Sequence, residues 1–247
     1  MELSCSASNH IGRRRDDEDA HAVRPDLGLA VVADGMGGYE GGEVASRIVV
    51  GSLVELFGRT QRDPEATWPH APRPTRDPLL DRVGVGLRHA HARVLARRRG
   101  RLSQMGSTAV VVAWSGTKLA VGHVGDSRVY RLGGGRLQAL TRDHSFVEEA
   151  RRAGLPEDAA VMASHRHVLT RAIGMPGPLE ADLHLYELSP GDVLLLCSDG
   201  VWEPLCDEHL RAALALPPAE AASTLVAWAY EAGGCDNMTA LVLRVPG

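Results

Sequence analysis

Four aspartates each stand beside a glycine or a turn at the end of an apolar run: Asp34, Asp126, Asp199 and Asp236. The run that precedes Asp199, residues 193–197, has the composition of a strand buried on both faces. A carboxylate at the tip of such a strand leaves water and approaches other carboxylates, which is costly unless the charges are neutralised. Because hard divalent cations prefer clustered oxygen ligands, the pattern predicts a metal centre.

Each acidic position also has an ordinary structural interpretation. The acidic run 16–19 follows three arginines at 13–15, so a solvated turn with local charge pairing would account for it. Asp126 before a serine is typical of a turn between strands, and Asp236 before an asparagine is typical of a turn or a cap. These interpretations stay open for each position alone. The occurrence of all the acidic positions in one chain favours the metal centre.

Composition narrows the class of protein. A net charge of -4 and a pI near 6.3 give no electrostatic case for nucleic-acid binding, and the arginine-rich residues 97–101 suit an exposed helix C-terminus. The 11 histidines are scattered without the helical spacing of a zinc site. Four cysteines lack metal-binding spacing, and no apolar stretch of membrane-spanning length occurs. We therefore expect a cytoplasmic protein without membrane contact.

Apolar spacing predicts strands towards both ends of the chain and two pairs of longer helices. Five prolines in residues 60–78 predict an inserted loop. Short apolar runs between residues 107 and 140, separated by glycine-rich turns, predict one antiparallel meander. The predicted helices are 42–57, 79–95, 144–153, 207–216 and 218–232, and residues 154–164 are expected to be irregular. The predicted strands are three within 3–35, then 107–114, 118–124, 128–132, 136–140, 168–173, 183–188, 193–197 and 238–245.

These elements predict an α+β fold in a single domain over residues 1–247. Two antiparallel sheets packed face to face, with a helix pair on each outer side, would bury every apolar face in a four-layer αββα sandwich.

A series of motifs in order along the chain resembles the metal-dependent Ser/Thr protein phosphatases of type 2C, the PPM family, in their compact bacterial form. One Asp-Gly pair would be weak evidence, whereas the full series over residues 4–245 is specific. The motifs are Arg14-x-x-x-Glu18-Asp19-Ala20-His21, Asp34-Gly35-Met36-Gly37-Gly38, Gly42-Glu43-Val44-Ala45-Ser46, Gly106-Ser107-Thr108-Ala109, Val124-Gly125-Asp126-Ser127-Arg128-Val129-Tyr130, Leu169-Thr170-Arg171-Ala172-Ile173-Gly174, Ser198-Asp199-Gly200-Val201-Trp202 and Asp236-Asn237-Met238-Thr239.

The resemblance implies a centre with two Mn²⁺ or Mg²⁺ ions. Asp34 would bridge both ions. Glu18 and the carbonyl of Gly35 would hold one ion, and Asp199 and Asp236 would hold the other. This assignment agrees with the chemistry, because two cations about 3.5–4 Å apart lower the pKa of a water and clamp a phosphate.

The resemblance also implies roles around the two ions. Asp126 with Asp199 would form a third, weaker metal site. Asp19 would orient the metal-bound water, and Arg14 would grip the substrate phosphate with its planar fork of donors.

Some positions depart from the family pattern. Animal members carry a histidine, proposed as a general acid, two residues after the bridging aspartate, and Met36 stands there. Tyr39 replaces the histidine that many bacterial members carry, and Asp17 adds a carboxylate before Glu18. The general acid is therefore unassigned. Residues from about 145 to 166 correspond to the flap beside the active site of bacterial relatives, and their polar sequence with glycine and proline is consistent with mobility. We expect this flap to govern substrate choice.

The leading hypothesis is a phosphatase of phosphoserine and phosphothreonine in proteins, opposing a bacterial Ser/Thr kinase and acting as a monomer. One alternative is a phosphatase dedicated to a single regulator, such as an anti-sigma-factor antagonist. Another is a non-catalytic pseudophosphatase that binds phosphoproteins, which would require the loss of a metal ligand. A nuclease is disfavoured by the acidic charge balance.

Overall fold

The computed structural model describes residues 2–38, 41–63, 65–71, 77–155 and 159–247. Its helices are Gly41–Arg62 (α1), Pro78–Arg97 (α2), Phe146–Arg152 (α3), Ala159–Ser164 (α4), Asp199–Trp202 (α5), Asp207–Leu214 (α6) and Pro218–Glu231 (α7). Its strands are Ser4–His10 (β1), Asp19–Arg24 (β2), Leu29–Met36 (β3), Gly106–Ser107 (β4), Ala109–Ser115 (β5), Lys118–Val124 (β6), Arg128–Gly133 (β7), Arg136–Ala139 (β8), Asp182–Glu187 (β9), Val193–Cys197 (β10) and Met238–Arg244 (β11).

The strands form two antiparallel sheets. The first has the order β1-β11-β10-β7-β8, and the second has the order β2-β3-β5-β6-β9, with the short β4 paired to β3. Helices α1 and α2 lie on the second sheet, and α7 lies on β1 and β11 of the first sheet with α6 beside it. The predicted α+β sandwich with a helix pair outside each sheet is confirmed.

Strand β5 shows how the sequence fills three apolar layers. Val110 and Val112 face the other sheet, whereas Val111 and Ala113 face helices α1 and α2. This alternation follows from the two-residue period of a strand, and both faces are apolar because both are covered. A third apolar cluster joins the first sheet to α6 and α7. The site must therefore lie where the strands end.

The prediction of a single meander over residues 107–140 is wrong about pairing. Strands β5 and β6 form a hairpin in the second sheet, and β7 and β8 form a hairpin in the first. Between them the chain crosses from one sheet to the other at Gly125, whose φ of 102° is accessible mainly to glycine. A Cβ on Gly125 would lie 2.6 Å from a side-chain carbon of Thr108. Asp126 thus lies at a crossing rather than in a hairpin turn.

Two other predictions in the second half of the chain are corrected. Residues 168–173 are not a strand, because they make only single bridges, Ser107 to Ile173 and Ser145 to Leu169. Residues 159–164 form α4, although the polar sequence predicted irregular structure.

The predicted loop 60–78 is shorter than expected. Helix α1 continues to Arg62, and Pro78 is the first residue of α2. The side chain of Asp77 accepts a hydrogen bond from the N–H of Leu79 at 2.9 Å, which caps α2. Pro64 and residues 72–76 lie outside the described residues. Within the described ranges, no helix combines the length and apolar character needed to cross a membrane.

Candidate metal centre

The acidic residues meet at one end of the sandwich. Asp34 is near the end of β3, and Asp199 follows β10 at the start of α5. Asp126 lies at the crossing between the sheets, and Asp236 lies in the connection between α7 and β11. Glu18 immediately precedes β2. Elements of both sheets therefore supply carboxylates to one place.

These residues surround a cavity of about 230 Å³. Its lining contains every residue predicted to bind metal, together with Arg14, and does not contain Asp19. The lining residues are Arg14, Glu18, Asp34, Gly35, Met36, Gly37, Thr108, Asp126, His167, Leu169, Asp199, Asp236 and Asn237. The structure thus brings together distant residues such as Arg14 and Asp236, which are 222 positions apart.

The carboxylates of Asp34, Asp126 and Asp199 hold protons more strongly than usual. Burial raises the pKa of Asp34 well above its ordinary value, and the charges of Asp19, Asp199 and Asp126 raise it further. Burial, followed by the charge of Asp199, raises the pKa of Asp126 to about 7. The pKa of Asp199 rises to about 6 because of burial and the charge of Asp236, although a hydrogen bond from Asp34 opposes the rise. The cavity therefore concentrates buried carboxylates that repel one another.

Hydrogen bonds position both the backbone and the carboxylate of Glu18. Its N–H donates to Oδ1 of Asn237 at 2.9 Å, and its carbonyl accepts from the N–H of Gly35 at 3.0 Å. Its carboxylate accepts a backbone hydrogen bond from Gly42. A Cβ on Gly42 would lie 2.1 Å from Oε1 of Glu18. Glycine at the start of α1 therefore leaves the space that the carboxylate occupies.

Asp19 lies behind the cavity rather than in its lining. Its Oδ2 accepts hydrogen bonds from Oγ of Ser198 at 2.7 Å and from Oγ1 of Thr239 at 2.6 Å. Burial raises the pKa of Asp19 to about 7 despite these two donors. Among the described residues, its buried Oδ1 has no hydrogen-bond partner. Asp19 is thus fixed through one oxygen and unsatisfied through the other.

Arg14 lies at the exposed side of the cavity. Its Nη2 contacts Oδ2 of Asp236 at 2.5 Å, and its Nε donates to the carbonyl of Cys235 at 3.0 Å. Its side chain is 52% exposed. The guanidinium therefore partly balances Asp236 and remains accessible from solvent.

Three supporting residues were not recognised from the sequence. The sequence assigns no role at the site to Thr108, yet its Oγ1 accepts a hydrogen bond from the N–H of Asp34 at 3.0 Å. Asn237 likewise has no predicted role, yet its Nδ2 donates to the carbonyls of Ile11 and Asp16. Both residues lie within motifs of the family resemblance, and those motifs are the sign in the sequence that the two residues belong to the site. His167 lies in no motif, so its place in the lining could not be found from the sequence.

The residues of the cavity fit hard divalent cations. The donors offered are carboxylate oxygens and a backbone carbonyl, which are the ligands that Mg²⁺ and Mn²⁺ prefer. In the described part of the chain, Oδ1 of Asp199 is buried without a hydrogen-bond partner. Burial, and after it the charges of neighbouring carboxylates, raise the pKa values of Asp34 and Asp126, so a cation would be favourable here. Cations would supply both the missing partner and the missing charge.

Comparison with known proteins identifies relatives of this chain. A family model described as protein phosphatase 2C matches residues 7–228. The serine/threonine protein phosphatase PstP of Mycobacterium tuberculosis is 35% identical over 239 residues, which cover 94% of this chain and 43% of PstP. The serine/threonine phosphatase stp of Listeria monocytogenes is 32% identical over 225 residues, covering 87% of this chain and 84% of the relative. The chain thus spans less than half the length of PstP.

Solved structures share the fold over nearly the whole chain. The catalytic domain of PstP, in complex with two manganese ions, aligns with a TM-score of 0.83 at 32% identity and covers 99% of both chains. PppA, described as a key regulatory component of T6SS in Pseudomonas aeruginosa, aligns with a TM-score of 0.80 at 35% identity and covers 99% of this chain and 98% of its own. Because the family model spans most of the sequence and the relatives agree with it, this chain belongs to the protein phosphatase 2C family.

Proposed function

We propose that this chain is a Mn²⁺- or Mg²⁺-dependent phosphatase that hydrolyses phosphoserine and phosphothreonine in proteins. The observation that carries the proposal is the cavity, in which every metal-binding position implied by the family resemblance is present and faces the same space. A pseudophosphatase would be expected to lack one of these residues. The serine/threonine phosphatase names of the relatives and the two manganese ions of PstP support the same activity.

The proposed ligands divide between two ions. Asp34 would contact both ions, Glu18 and the carbonyl of Gly35 would complete one shell, and Asp199 and Asp236 would complete the other. When bound, the ions would lower the pKa of a water and offset the charge of the phosphate. The buried, mutually repelling carboxylates support this assignment, because burial without a cation is unfavourable.

The other residues of the site would orient the reactants. Arg14 presents an exposed guanidinium at the mouth of the cavity, where its planar donors match two phosphate oxygens. Ser198 and Thr239 hold the carboxylate of Asp19 through its Oδ2. Its buried Oδ1, which has no hydrogen-bond partner in the described part of the chain, would accept a hydrogen bond from the attacking water. Met36 lies in the lining where animal members have a proposed general acid, so the leaving oxygen takes its proton from another donor.

The substrates would be phosphorylated proteins, including targets of a Ser/Thr kinase, in the cytoplasm. We propose that residues 1–247 act as one catalytic domain and as a monomer, and that the flap at about residues 145–166 selects the substrate. A phosphatase dedicated to one regulator would have the same cavity and would differ in this flap. Exchange of the flap with that of a relative should change phosphopeptide preference and preserve hydrolysis of a small aryl phosphate.

The direct test is phosphopeptide hydrolysis with Mn²⁺, with EDTA, and in the variants Asp34→Asn and Asp199→Asn. We expect activity only in the wild type with metal. Full activity in EDTA or in either variant would refute the two-metal proposal. Folded wild-type protein that hydrolyses no phosphopeptide and whose melting temperature does not change at millimolar Mn²⁺ would instead favour a pseudophosphatase.

A further inference from the structure

Arg13 directly precedes Arg14, which lies at the exposed side of the cavity. The N–H of Arg13 donates to the carbonyl of Gly234 at 2.8 Å. Arg14 binds the next two residues of the same connection, through the carbonyl of Cys235 and the carboxylate of Asp236. The two arginines are thus anchored side by side on the connection between α7 and β11, which borders the cavity.

The guanidinium of Arg13 is held by an aromatic ring rather than by a carboxylate. Its Cζ lies 5.9 Å from the centroid of the Tyr230 ring, within the range of a cation–π contact. The ring of His10 packs edge-on against the same tyrosine, with 4.9 Å between the centroids and an interplanar angle of 64°. These contacts direct Arg13 towards the C-terminal end of α7, on one side of Arg14.

The donors of the Arg13 guanidinium remain available. Arg13 is exposed, and within the described ranges its guanidinium makes no hydrogen bond or ion pair. Arg14 differs, because Asp236 and the carbonyl of Cys235 already engage its guanidinium. A cation over an aromatic ring is attracted to the ring without using its N–H groups. Arg13 therefore offers a planar set of unused donors next to the residue proposed to bind the substrate phosphate.

We propose that Arg13, positioned by Tyr230, binds a second anionic residue of the substrate, close in sequence to the phosphorylated one. The Cα atoms of consecutive residues are about 3.8 Å apart, and an extended peptide covers about 3.3–3.6 Å per residue. The second anionic group would therefore lie within about four residues of the phosphate that Arg14 contacts. The family resemblance implies a substrate contact for Arg14 and none for Arg13 or Tyr230. The inference rests on the proposed function, because it assigns a substrate preference to that same site.

The chemistry of the guanidinium determines which anionic residue binds best. A second phosphate matches the planar donors of arginine through two oxygens, whereas an exposed pair with a carboxylate is weak. Because Arg13 is exposed, salt should screen either interaction. A contact that is equally strong in the ground state and the transition state changes KM rather than kcat. The preference should therefore appear in KM and decrease as the salt concentration rises.

The test uses a series of phosphopeptides that share one phosphothreonine. One flanking position at a time, within about four residues on either side, holds alanine, glutamate or a non-hydrolysable phosphonate analogue of phosphoserine. At the best position, wild-type kcat/KM should exceed that of the alanine peptide by about 10-fold for the phosphonate and about 3-fold for glutamate. In Arg13→Ala both preferences should disappear, while the alanine peptide and a small aryl phosphate keep their wild-type values. A wild type without any preference, or a preference that survives in Arg13→Ala, would overturn the proposal.

Matched variants separate this subsite from a general attraction of negative charge. Arg15→Ala removes an exposed arginine and should retain the preference. Tyr230→Phe keeps the ring and should also retain it, whereas Tyr230→Leu should weaken it. Equal losses of the preference in Arg13→Ala and Arg15→Ala would refute the subsite. An unchanged preference in Tyr230→Leu would refute the positioning role of Tyr230.

Binding without turnover distinguishes a failure of this subsite from a failure of the proposed function. For this purpose the phosphothreonine is also replaced by its phosphonate analogue, and binding to the protein with Mn²⁺ is measured by fluorescence anisotropy. Tighter binding of the peptide with the second anionic group, lost in Arg13→Ala, would support the subsite even in a protein that hydrolyses nothing. Equal binding of all the peptides, together with normal hydrolysis of phosphothreonine, would refute the subsite and leave the proposed function intact.

Discussion

Asp19 and Asp34 lie directly opposite each other in the register of the antiparallel strands β2 and β3. Opposed residues of a strand pair project from the same face of a sheet. Burial raises the pKa of Asp34, and the neighbouring Asp19 is the largest of the charges that raise it further. Like charges in this arrangement oppose folding. The two strands thus hold a repulsive pair that a cation would relieve.

Asp34→Asn should have opposite effects on the free and the metal-bound protein. In EDTA, the neutral amide removes buried negative charge, so we expect a higher melting temperature than that of the wild type at pH 8. With Mn²⁺, the wild type should gain stability and the variant should gain much less. Thermal melting of both proteins with and without Mn²⁺ measures the two effects. An equal Mn²⁺-induced rise would show that Asp34 is not a ligand.

The stability of the metal-free protein should fall as pH rises through the range in which Asp126 ionises. Burial and the charge of Asp199 raise the pKa of Asp126 from 3.8 to about 7, so its stabilising contribution is complete below pH 4 and is lost towards pH 7. The loss is at most on the order of a few kcal/mol.

Comparison with Asp126→Asn isolates this effect from the other titrating groups. His123 acts in the opposite direction, because burial lowers its pKa to about 4 and its protonation at acid pH opposes folding. We expect the melting temperature of the wild type minus that of Asp126→Asn to decrease between pH 4 and pH 7 in EDTA. A difference that is constant with pH would contradict the raised pKa of Asp126.

Ser198→Ala should destabilise the protein and reduce activity, because it removes one of two donors to the buried carboxylate of Asp19. Loss of a hydrogen bond to a buried charged group costs about 1–3 kcal/mol. Urea unfolding measures the change in the free energy of unfolding. Ser223→Ala is the matched control: its hydroxyl bonds to the backbone of the exposed side of α7, so a change within about 0.5 kcal/mol is expected. Similar losses in both variants would argue against a special role for Ser198.

Gly42→Ala should weaken Mn²⁺ binding, because the added Cβ would overlap Oε1 of Glu18 and force that carboxylate to move. The carbonyl carbon of Gly35 lies 2.8 Å from the same position, so the backbone offers little relief. Gly51→Ala in the same helix is the control, since its added Cβ has no neighbour within 4 Å among the described residues. That control should stabilise α1 by about 0.5–1 kcal/mol and keep wild-type Mn²⁺ affinity. Calorimetric Mn²⁺ titration of both variants tests the difference.

Arg14→Ala should lower kcat/KM for phosphopeptides by about 10- to 100-fold, as expected for the loss of a charge-assisted hydrogen bond of about 1.5–3 kcal/mol. Arg14→Lys should recover part of this loss, because an ammonium keeps the charge without the planar fork. Arg15→Ala, at the exposed neighbouring arginine, should have little effect. Steady-state kinetics of the three variants measures these changes in kcat/KM. Equal losses in Arg14→Ala and Arg15→Ala would indicate a general electrostatic attraction of the substrate rather than phosphate binding by Arg14.

The layers of the fold could be predicted from apolar periodicity, whereas the pairing of the strands could not. Residues 107–140 have the expected strands, but the crossing at Gly125 places the second hairpin in the other sheet. A glycine and a turn residue between two strands are compatible with either arrangement. The choice depends on the docking of β7 against β10, a contact with a distant part of the sequence.

The carboxylates of the cavity were predictable because motifs mark them. The residues that position these carboxylates by hydrogen bonds were predictable only in part. Thr108 and Asn237 stand in motifs, but their partners depend on the folded path of the chain. Residues 168–173 have strand-like composition, yet only bridges form because Leu169 and Ile173 pair with separate segments. The position of His167 beside the cavity follows from this irregular path, which no periodicity describes.

The contact between Asp19 and Thr239 joins residues 220 positions apart in the chain. Strand β11, which carries Thr239, also lies between β1 and β10 in the first sheet. Contacts of such long sequence separation form slowly, because the entropy of closing the chain is lost before they contribute. On refolding, Mn²⁺ binding should therefore appear after helix content. The time course of Mn²⁺ binding would then report the final step of folding.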